Sequence, residues 1–205
     1  MLIIDVKHPI YPALTDDSGY VAALWLATGA VLGGCGIVAA VATQAELNQW
    51  VVATRWTARL SLILFAAAYV MPDPSRVRAI GLAFAGAHFV HAFTFIVYLS
   101  SYPVTRGLVS TIGGTLGYVV LAAMTYSSIR PKVWGVTVRK WGMPYLWVVF
   151  SFSYLGRIVE NGSRSDEGWF GLAVLALIPV SRLALGQKRA SNNRVFDPSR
   201  KEPAA

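Results

Sequence analysis

The sequence predicts an all-α integral membrane protein, a polytopic bundle of six transmembrane helices with both termini in the cytoplasm. Of its 205 residues, 55% are hydrophobic and only 14% are charged, whereas soluble domains average about 25% charged residues. The mean hydropathy is +0.52. Six apolar stretches approach the roughly 20 residues that a helix needs to cross about 30 Å of hydrocarbon. The net charge is +8, and the basic residues lie mainly between these stretches. This placement indicates that they set the orientation of the helices in the membrane, and it argues against nucleic-acid binding.

The first three predicted spans are defined by uninterrupted apolar runs and by the turn residues that close them. They are Tyr20–Thr43, Trp56–Met71 and Ile80–Tyr102. The first carries no charged residue. The second is closed by Pro72 and Pro74, because a proline cannot continue the preceding helix, and the third ends at Pro103 for the same reason.

The last three predicted spans are Leu108–Ser127, Trp141–Val159 and Trp169–Leu185. The fifth span is rich in aromatic residues, and Asn161-Gly162-Ser163 follows it as a turn. Small residues recur along the first and fourth spans, namely Gly29, Gly33, Gly34, Gly36, Gly113, Gly114 and Gly117. Such residues let membrane helices approach closely, so we expect packing at these positions.

The domain organisation predicted from these spans is simple. Residues 1–19 form a cytoplasmic N-terminal segment, residues 20–185 form the membrane domain, and residues 186–205 form a basic, disordered cytoplasmic tail. Short connections predict that consecutive helices pack as antiparallel neighbours. The single cysteine, Cys35, excludes an internal disulfide and cysteine-based metal clusters.

The distribution of Lys and Arg predicts the orientation in the plasma (inner) membrane. Six spans place thirteen of the eighteen basic residues on the side that holds both termini and five on the opposite side. The five are Arg55, Arg59, Arg106, Arg157 and Arg164. Because positive charge is retained in the cytoplasm, the termini are predicted to be cytoplasmic.

His88 and His91 are the candidate functional residues of the third span. Ionisable groups at membrane depth are costly and usually face the bundle interior. The two histidines are three positions apart, so both lie on one helix face about 4.5 Å apart along the axis. Two imidazoles on one helix face cannot occupy opposite sides of one haem iron, so one ligand at most comes from this pair. The alternative is a polar pair that hydrogen-bonds to neighbouring backbone or serine groups.

Several segments resemble the ferric reductase-like transmembrane family, which includes the haem-binding membrane subunit of the methionine sulfoxide reductase system. The resemblance rests on Arg59-Leu60-Ser61-Leu62-Ile63-Leu64-Phe65 and on the run from Arg78 to His91, Arg-Ala-Ile-Gly-Leu-Ala-Phe-Ala-Gly-Ala-His-Phe-Val-His. It continues through Gly113-Gly114-Thr115-Leu116-Gly117-Tyr118 and Gly142-Met143-Pro144-Tyr145-Leu146-Trp147, about half of the chain in all.

The resemblance implies a six-helix membrane oxidoreductase or electron-transfer subunit that holds b-type haem. It implies that His91 is the iron ligand in the third helix, with His88 one turn earlier as the second candidate. Relatives carry a further histidine at the start of the fifth helix, where this chain has Val138-Arg139-Lys140-Trp141, and no histidine follows residue 91. The sequence thus leaves two functions open: transfer of electrons through haem on His91, or a haem-less accessory or structural subunit of the same fold.

Arg59 is a further candidate for cofactor binding, through a haem propionate, because a guanidinium binds a carboxylate with two parallel hydrogen bonds. The alternative for Arg59, as for Arg157 and Arg182, is a long side chain that reaches the membrane interface from a helix end. No nucleotide-binding glycine motif is present in the sequence. The expected partners are therefore the lipid bilayer and a redox partner protein or quinone, and nucleic acid is excluded.

Overall fold

The computed structural model describes residues 18–43, 49–102, 108–129, 135–161 and 166–195. All regular elements within these ranges are α helices, and there are six. They are α1 (Ser18–Thr43), α2 (Gln49–Val70), α3 (Pro74–Ser101), α4 (Leu108–Ile129), α5 (Gly135–Asn161) and α6 (Asp166–Val195). Four of them, α1, α2, α3 and α6, are long and apolar enough to cross a membrane. The predicted all-α membrane bundle is confirmed.

Several helix boundaries differ from the predicted ones. Helices α3 and α5 begin at Pro74 and Gly135, each six residues before the predicted start, and the two largest differences lie in α2 and α6. Helix α2 begins at Gln49, seven residues before the predicted start at Trp56, because its first turns contain polar residues that an apolar run does not include. Helix α6 continues to Val195, so the boundary predicted at residue 186 falls inside a helix and residues 186–195 are helical rather than disordered. Residues 1–17 and 196–205 of the predicted terminal segments lie outside the described residues.

The turn between α2 and α3 is set by Asp73 and Pro74. Pro74 occupies the first turn of α3, where its missing N–H is not needed. Asp73 is the N-cap, and its carboxylate accepts hydrogen bonds from the backbone N–H and the hydroxyl of Ser75 at 3.0 and 2.9 Å. These bonds, together with nearby Arg76, hold the pKa of the Asp73 carboxyl below its ordinary value of 3.8. The start of α3 is therefore specified by local chemistry.

Helix α3 is the central element of the bundle. It packs along α1 on one side and along α2 on another, and α4, α5 and α6 pack in sequence against each other. Contacts of α2 with α6 and of α3 with α4 join the two groups. Arg78 strengthens the second junction, because its Nε donates at 2.8 Å to the Ser128 carbonyl in the last turn of α4, which has no partner within that helix.

Helix α1 has its small residues inside and its large apolar residues outside. Its buried positions include Ala22, Gly29, Gly33 and Ala40, whereas Val31 and Val38 are about two-thirds exposed. In water this arrangement would be unfavourable, but in a bilayer large apolar side chains contact lipid tails and small residues allow close helix packing. The pattern of α1 is that of a membrane helix.

Three glycines allow α1 and α3 to pack closely. A Cβ atom on Gly29 would overlap the carbonyl of Ala83, and one on Gly86 would overlap the carbonyl of Leu26. Gly33 faces Val90, whose Cβ would lie 2.9 Å from an added Cβ. Close packing through Gly29 and Gly33 agrees with the sequence-based expectation. Gly117, in contrast, makes only ordinary contact with Val149 at 3.7 Å.

The second group of helices is joined through α5. A Cβ on Gly142 would overlap the thioether of Met124 in α4, and one on Gly171 of α6 would overlap the ring of Tyr154. Pro179 interrupts the backbone bonding of α6, since proline has no N–H to donate to the carbonyl four residues earlier. That carbonyl belongs to Leu175, and it accepts a hydrogen bond at 3.1 Å from the indole Nε1 of Trp147 in α5.

Candidate functional site

Both intramembrane histidines face α2. The Nδ1 atom of His88 lies 2.6 Å from the hydroxyl of Ser61, and the Nδ1 atom of His91 lies 3.1 Å from the hydroxyl of Thr57. Ser61 and Thr57 are themselves buried and lie one turn apart on α2. The structure thus brings the two predicted residues together with two hydroxyl groups, at one layer of the α2–α3 interface.

The hydrogen bonds of Thr57 are compatible with two tautomers of His91. Thr57 has one hydroxyl proton, which can be donated to the Ala53 carbonyl at 2.8 Å or to Nδ1 of His91 at 3.1 Å. In the first arrangement Nδ1 of His91 donates to the Thr57 oxygen and the imidazole lone pair lies on Nε2, whereas in the second Nδ1 accepts and Nε2 carries the proton. The Thr94 hydroxyl, 3.1 Å from that of Thr57, completes the group.

His88 lies in an aromatic cluster. The centroids of Phe84, Tyr118 and Phe150 lie 5.4, 5.1 and 5.5 Å from that of the His88 ring, and the His91 ring lies 5.4 Å away. These rings come from α3, α4 and α5, so His88 is located where the two helix groups meet. The aromatic neighbours give it a densely packed environment.

For the haem that the sequence resemblance implies, the described residues offer the imidazole of His91 without an opposed second imidazole. A metal-bound histidine ordinarily donates its other ring N–H to a neighbouring oxygen, and the first arrangement of His91 with Thr57 provides that contact. Facing the histidine layer, α4 and α5 contribute the rings of Tyr118 and Phe150 rather than an imidazole. Among the described residues, no group of three metal-ligating side chains occurs.

The structure does not bring Arg59 to the histidines. Arg59 is two residues from both Thr57 and Ser61 along α2, which places it roughly 160° around the helix from each of them. Its guanidinium lies 3.6 Å from a carboxylate oxygen of Glu167. Binding of a cofactor carboxylate by Arg59 stays a prediction.

An apolar groove lies on the face of α3 opposite the histidines. It has a volume of about 520 Å³ and is formed by α1, α3 and α4, with Leu26, Gly86, Phe89 and Phe93 among its lining residues. The groove contains almost no polar surface and is open to the side. It therefore belongs to the lipid-facing surface rather than to the histidine layer.

Sequence reasoning found the histidines but missed their partners. The sequence contains many hydroxyl residues, and Thr57 and Ser61 stand out only once the structure shows which face of α2 packs against α3. A usable signal was present, because their spacing of four residues on an apolar helix matches one helical turn, as the spacing of His88 and His91 does. Tyr118, which contacts His88 from α4, carried no comparable signal.

Fold and site together define an all-α integral membrane protein with a polar histidine layer inside its helix bundle. Compared with family models, with curated proteins and with solved structures, the chain matches none.

Proposed function

We propose that this protein is a ferric reductase-like membrane electron-transfer protein in which His91 would hold b-type haem. The observation that carries the proposal is the bond between His91 and Thr57. In the proposed arrangement Thr57 donates its own proton to Ala53 and Nδ1 of His91 donates to the Thr57 oxygen, which leaves the imidazole lone pair on Nε2. That tautomer is the one a histidine adopts when Nε2 ligates iron.

The surrounding residues have distinct tasks in this proposal. Thr57 holds the proton at Nδ1 of His91 and orients the ring, and Thr94 supports the Thr57 hydroxyl at 3.1 Å. His88 is hydrogen-bonded to Ser61 at 2.6 Å. It is a second polar side chain beside the imidazole of His91, inside an otherwise apolar bundle. When bound, haem would supply one-electron redox chemistry.

The proposed location is the plasma membrane, with both termini in the cytoplasm. The thirteen-to-five distribution of basic residues supports this orientation. Because the sequence contains no nucleotide-binding glycine motif, electrons would come from a separate protein or a quinone rather than from a cofactor held by a domain of this chain.

The test is an optical spectrum of protein expressed with ample haem and purified in mild detergent. We expect reduced protein to show the bands of a b-type haem. His91→Ala should abolish these bands, and His88→Ala should leave most of the haem in place. Because one axial position lacks a protein imidazole, the haem should be high-spin or easily lost.

Restoring a second histidine gives the matched gain-of-function arm. The resemblance indicates Val138, Arg139 or Lys140 at the start of α5 for that histidine. These positions lie about 15–18 Å along the helix from Phe150, whose ring centroid lies 5.5 Å from that of His88. Phe150→His is therefore the variant that places an imidazole beside the histidine layer, and it should tighten haem binding and convert the spectrum to low spin. Protein that stays colourless in the wild type and in Phe150→His would overturn the haem proposal.

The second candidate is a haem-less accessory or structural subunit. It is favoured by the packing of His88, whose ring contacts three aromatic rings at centroid distances of 5.1–5.5 Å. In that case both histidines stabilise the junction between the helix groups. Colourless protein in which His88→Ala lowers thermal stability more than His91→Ala would support this function.

A further inference from the structure

The apolar groove between α1, α3 and α4 is a gap between the two helix groups. Its volume is about 520 Å³, and its walls include Leu26 and Ala30 of α1 and Phe89 and Phe93 of α3. The gap exists because α4 packs closely on α5 but only loosely on α1 and α3. Its floor includes backbone, since Gly86 allows the Leu26 carbonyl to come into direct contact with α3. We name it the α1–α3–α4 groove.

The groove lies at the depth of the membrane hydrocarbon. Its residues from α1 and α3 begin at Leu26 and end at Phe93, and they lie eight or more residues from either end of their helices. That separation is about 12 Å or more along the helix axis. Water is absent at this depth, so an unfilled groove would deprive its walls of van der Waals contacts. A molecule that resides in the membrane must therefore fill it.

The lining excludes ligands that need hydrogen bonds. Of the described residues that line the groove, only Thr125 has a polar side chain, and its hydroxyl donates at 2.8 Å to the Leu121 carbonyl of its own helix. The carbonyl groups of a quinone or of a lipid ester would lose their hydrogen bonds here, which is costly in hydrocarbon. Phe89 and Phe93 are about half exposed and supply apolar surface along one wall. The chemistry of the lining thus selects an aliphatic chain.

The size of the groove distinguishes a lipid chain from a helix of another protein. A helix with its side chains is about 10–12 Å across, so 520 Å³ would accept roughly one turn of it. A methylene group is about the size of a water molecule, which occupies ~30 Å³, so the same volume accepts about 17 methylene groups. This is the size of one straight acyl chain of a common phospholipid.

We propose that the α1–α3–α4 groove binds one straight acyl chain of a bilayer phospholipid as a resident lipid. The chain lies along Phe89 and Phe93, above the contact of Gly86 with α1. It fills the gap that separates α4 from the first helix group, so it stabilises the junction between the groups. Because the headgroup lies outside the groove, binding discriminates between chains and not between headgroups.

Native mass spectrometry of the delipidated full chain in mixed micelles tests this proposal, whether or not haem is bound. The probes are phosphatidylcholines with two palmitoyl or two phytanoyl chains. A phytanoyl chain has the same main-chain length but four methyl branches, which makes about 20 groups and exceeds the volume of the groove. We expect the palmitoyl lipid to be retained about tenfold better, equivalent to ~1.4 kcal/mol. Phosphatidylglycerol with palmitoyl chains should be retained as well as the phosphatidylcholine.

Two variants change the volume of the groove in opposite directions. Ala27→Phe fills part of it, and Phe89→Ala removes part of a wall. Both should lower retention of the palmitoyl lipid about tenfold. Ala123→Phe is the matched control, because Ala123 is exposed on α4 about 160° around the helix from Thr125 and therefore outside the groove. It should leave retention unchanged, and size-exclusion profiles show that each variant is folded.

Melting temperatures test the stabilising role of the chain. Adding the palmitoyl lipid should raise the melting temperature of the delipidated wild type and of Ala123→Phe. It should not raise that of Ala27→Phe, whose new ring takes the place of the chain.

A photoreactive lipid with a diazirine midway along one acyl chain locates the bound chain. We expect the labelled peptides to contain Phe89 or Phe93. Phe152 of α5 provides the comparison, because it is 69% exposed but lies outside the groove. Labelling at Phe152 that equals labelling at Phe89 would show ordinary bilayer contact and would overturn the proposal.

Three further outcomes would overturn the proposal. They are equal retention of the two chain types by the wild type, unchanged retention in both folded groove variants, and retention that follows the headgroup. Retention of a detergent or a polyisoprenoid in place of the phospholipid would assign the groove to another occupant and would also overturn it. None of these outcomes depends on haem, so the optical spectrum tests the proposed function separately.

Discussion

The two faces of α3 contact their neighbours in opposite ways. On the face toward α1, Gly86 brings the backbones into direct contact, and no side-chain atom intervenes. On the face toward α2, His88 and His91 are held by the hydroxyls of Ser61 and Thr57 at 2.6 and 3.1 Å. Packing against α1 requires a residue without a side chain, whereas packing against α2 requires that hydrogen-bond donors and acceptors are paired.

This difference follows from what each interaction requires in a membrane. Lipid tails are as apolar as side chains, so helix association depends on close packing and on interhelical hydrogen bonds rather than on hydrophobic burial. A glycine contact leaves no room for one added atom. A hydrogen-bonded layer tolerates changes of shape but not the loss of a partner, since an unpaired polar group in hydrocarbon is costly.

The largest effect is expected at the glycine face. Gly86→Ala places a methyl group on the carbonyl of Leu26 and close to the backbone nitrogen of Ala30, and neither atom can move without the helix. We expect a loss of about 3 kcal/mol in the free energy of unfolding, because α1 must shift away from α3. Unfolding in detergent with increasing denaturant measures it.

The control for this prediction lies on the same helix. Gly81 has no atom within 4 Å of an added Cβ. Gly81→Ala should therefore be neutral or should stabilise the protein by at most about 1 kcal/mol, through helix propensity alone. If both alanine variants behaved alike, close packing would not distinguish this face.

The next largest effect is expected at the hydroxyl face. Thr57→Val keeps the shape of the side chain but removes the hydroxyl that contacts His91 and Thr94. We expect the free energy of unfolding to fall by about 1–2 kcal/mol, because two buried polar groups lose a partner.

Thr54→Val is the matched control for Thr57→Val. The Thr54 hydroxyl donates only within its own helix, to the Trp50 carbonyl at 2.6 Å. The change at Thr54 should therefore stay within about 0.5 kcal/mol. Equal losses at the two threonines would mean that the bond between helices adds nothing beyond the bond within α2.

The smallest effect is expected where α3 begins, outside both faces. Asp73→Ala removes the N-cap and should lower the melting temperature slightly at pH 7. Because folding lowers the pKa of Asp73 below 3.8, its carboxylate stabilises the folded state above that pH. The stabilisation disappears as the pH falls through the lowered pKa.

The difference between Asp73→Ala and the wild type should therefore shrink below about pH 4, in melting curves recorded from pH 7 downward. A difference that grew on acidification would contradict the role of the carboxylate. The effect of the substitution would then have to come from packing of α3 against its neighbours and not from the loss of its N-cap.

Much of the fold could be predicted because membrane helices are specified by local composition. Apolar runs predicted all six helices, and Pro72 and Pro74 predicted where α2 ends. The early start of α2 could not be predicted from hydropathy, since its first turns carry Gln49 and Arg55 and are ordered by packing against other helices.

The site was less predictable because its partners are distant in sequence. Spacing alone placed His88 and His91 on one face, but Thr57 is 34 residues from His91. Glu167 shows the same limitation. It lies in the first turn of α6, but it pairs with arginines from two other helices, α2 and α5.

The hydrogen bond from Trp147 to Leu175 also bears on how the chain is assembled. Pro179 leaves α6 with a carbonyl that hydrocarbon cannot satisfy, so this helix alone would be a poor membrane segment. Its missing donor comes from α5, which precedes it in synthesis. The carbonyl of Leu175 in α6 therefore gains its hydrogen bond only when α6 packs beside α5. Because α5 is synthesised first, the Trp147 donor is already present when α6 is made.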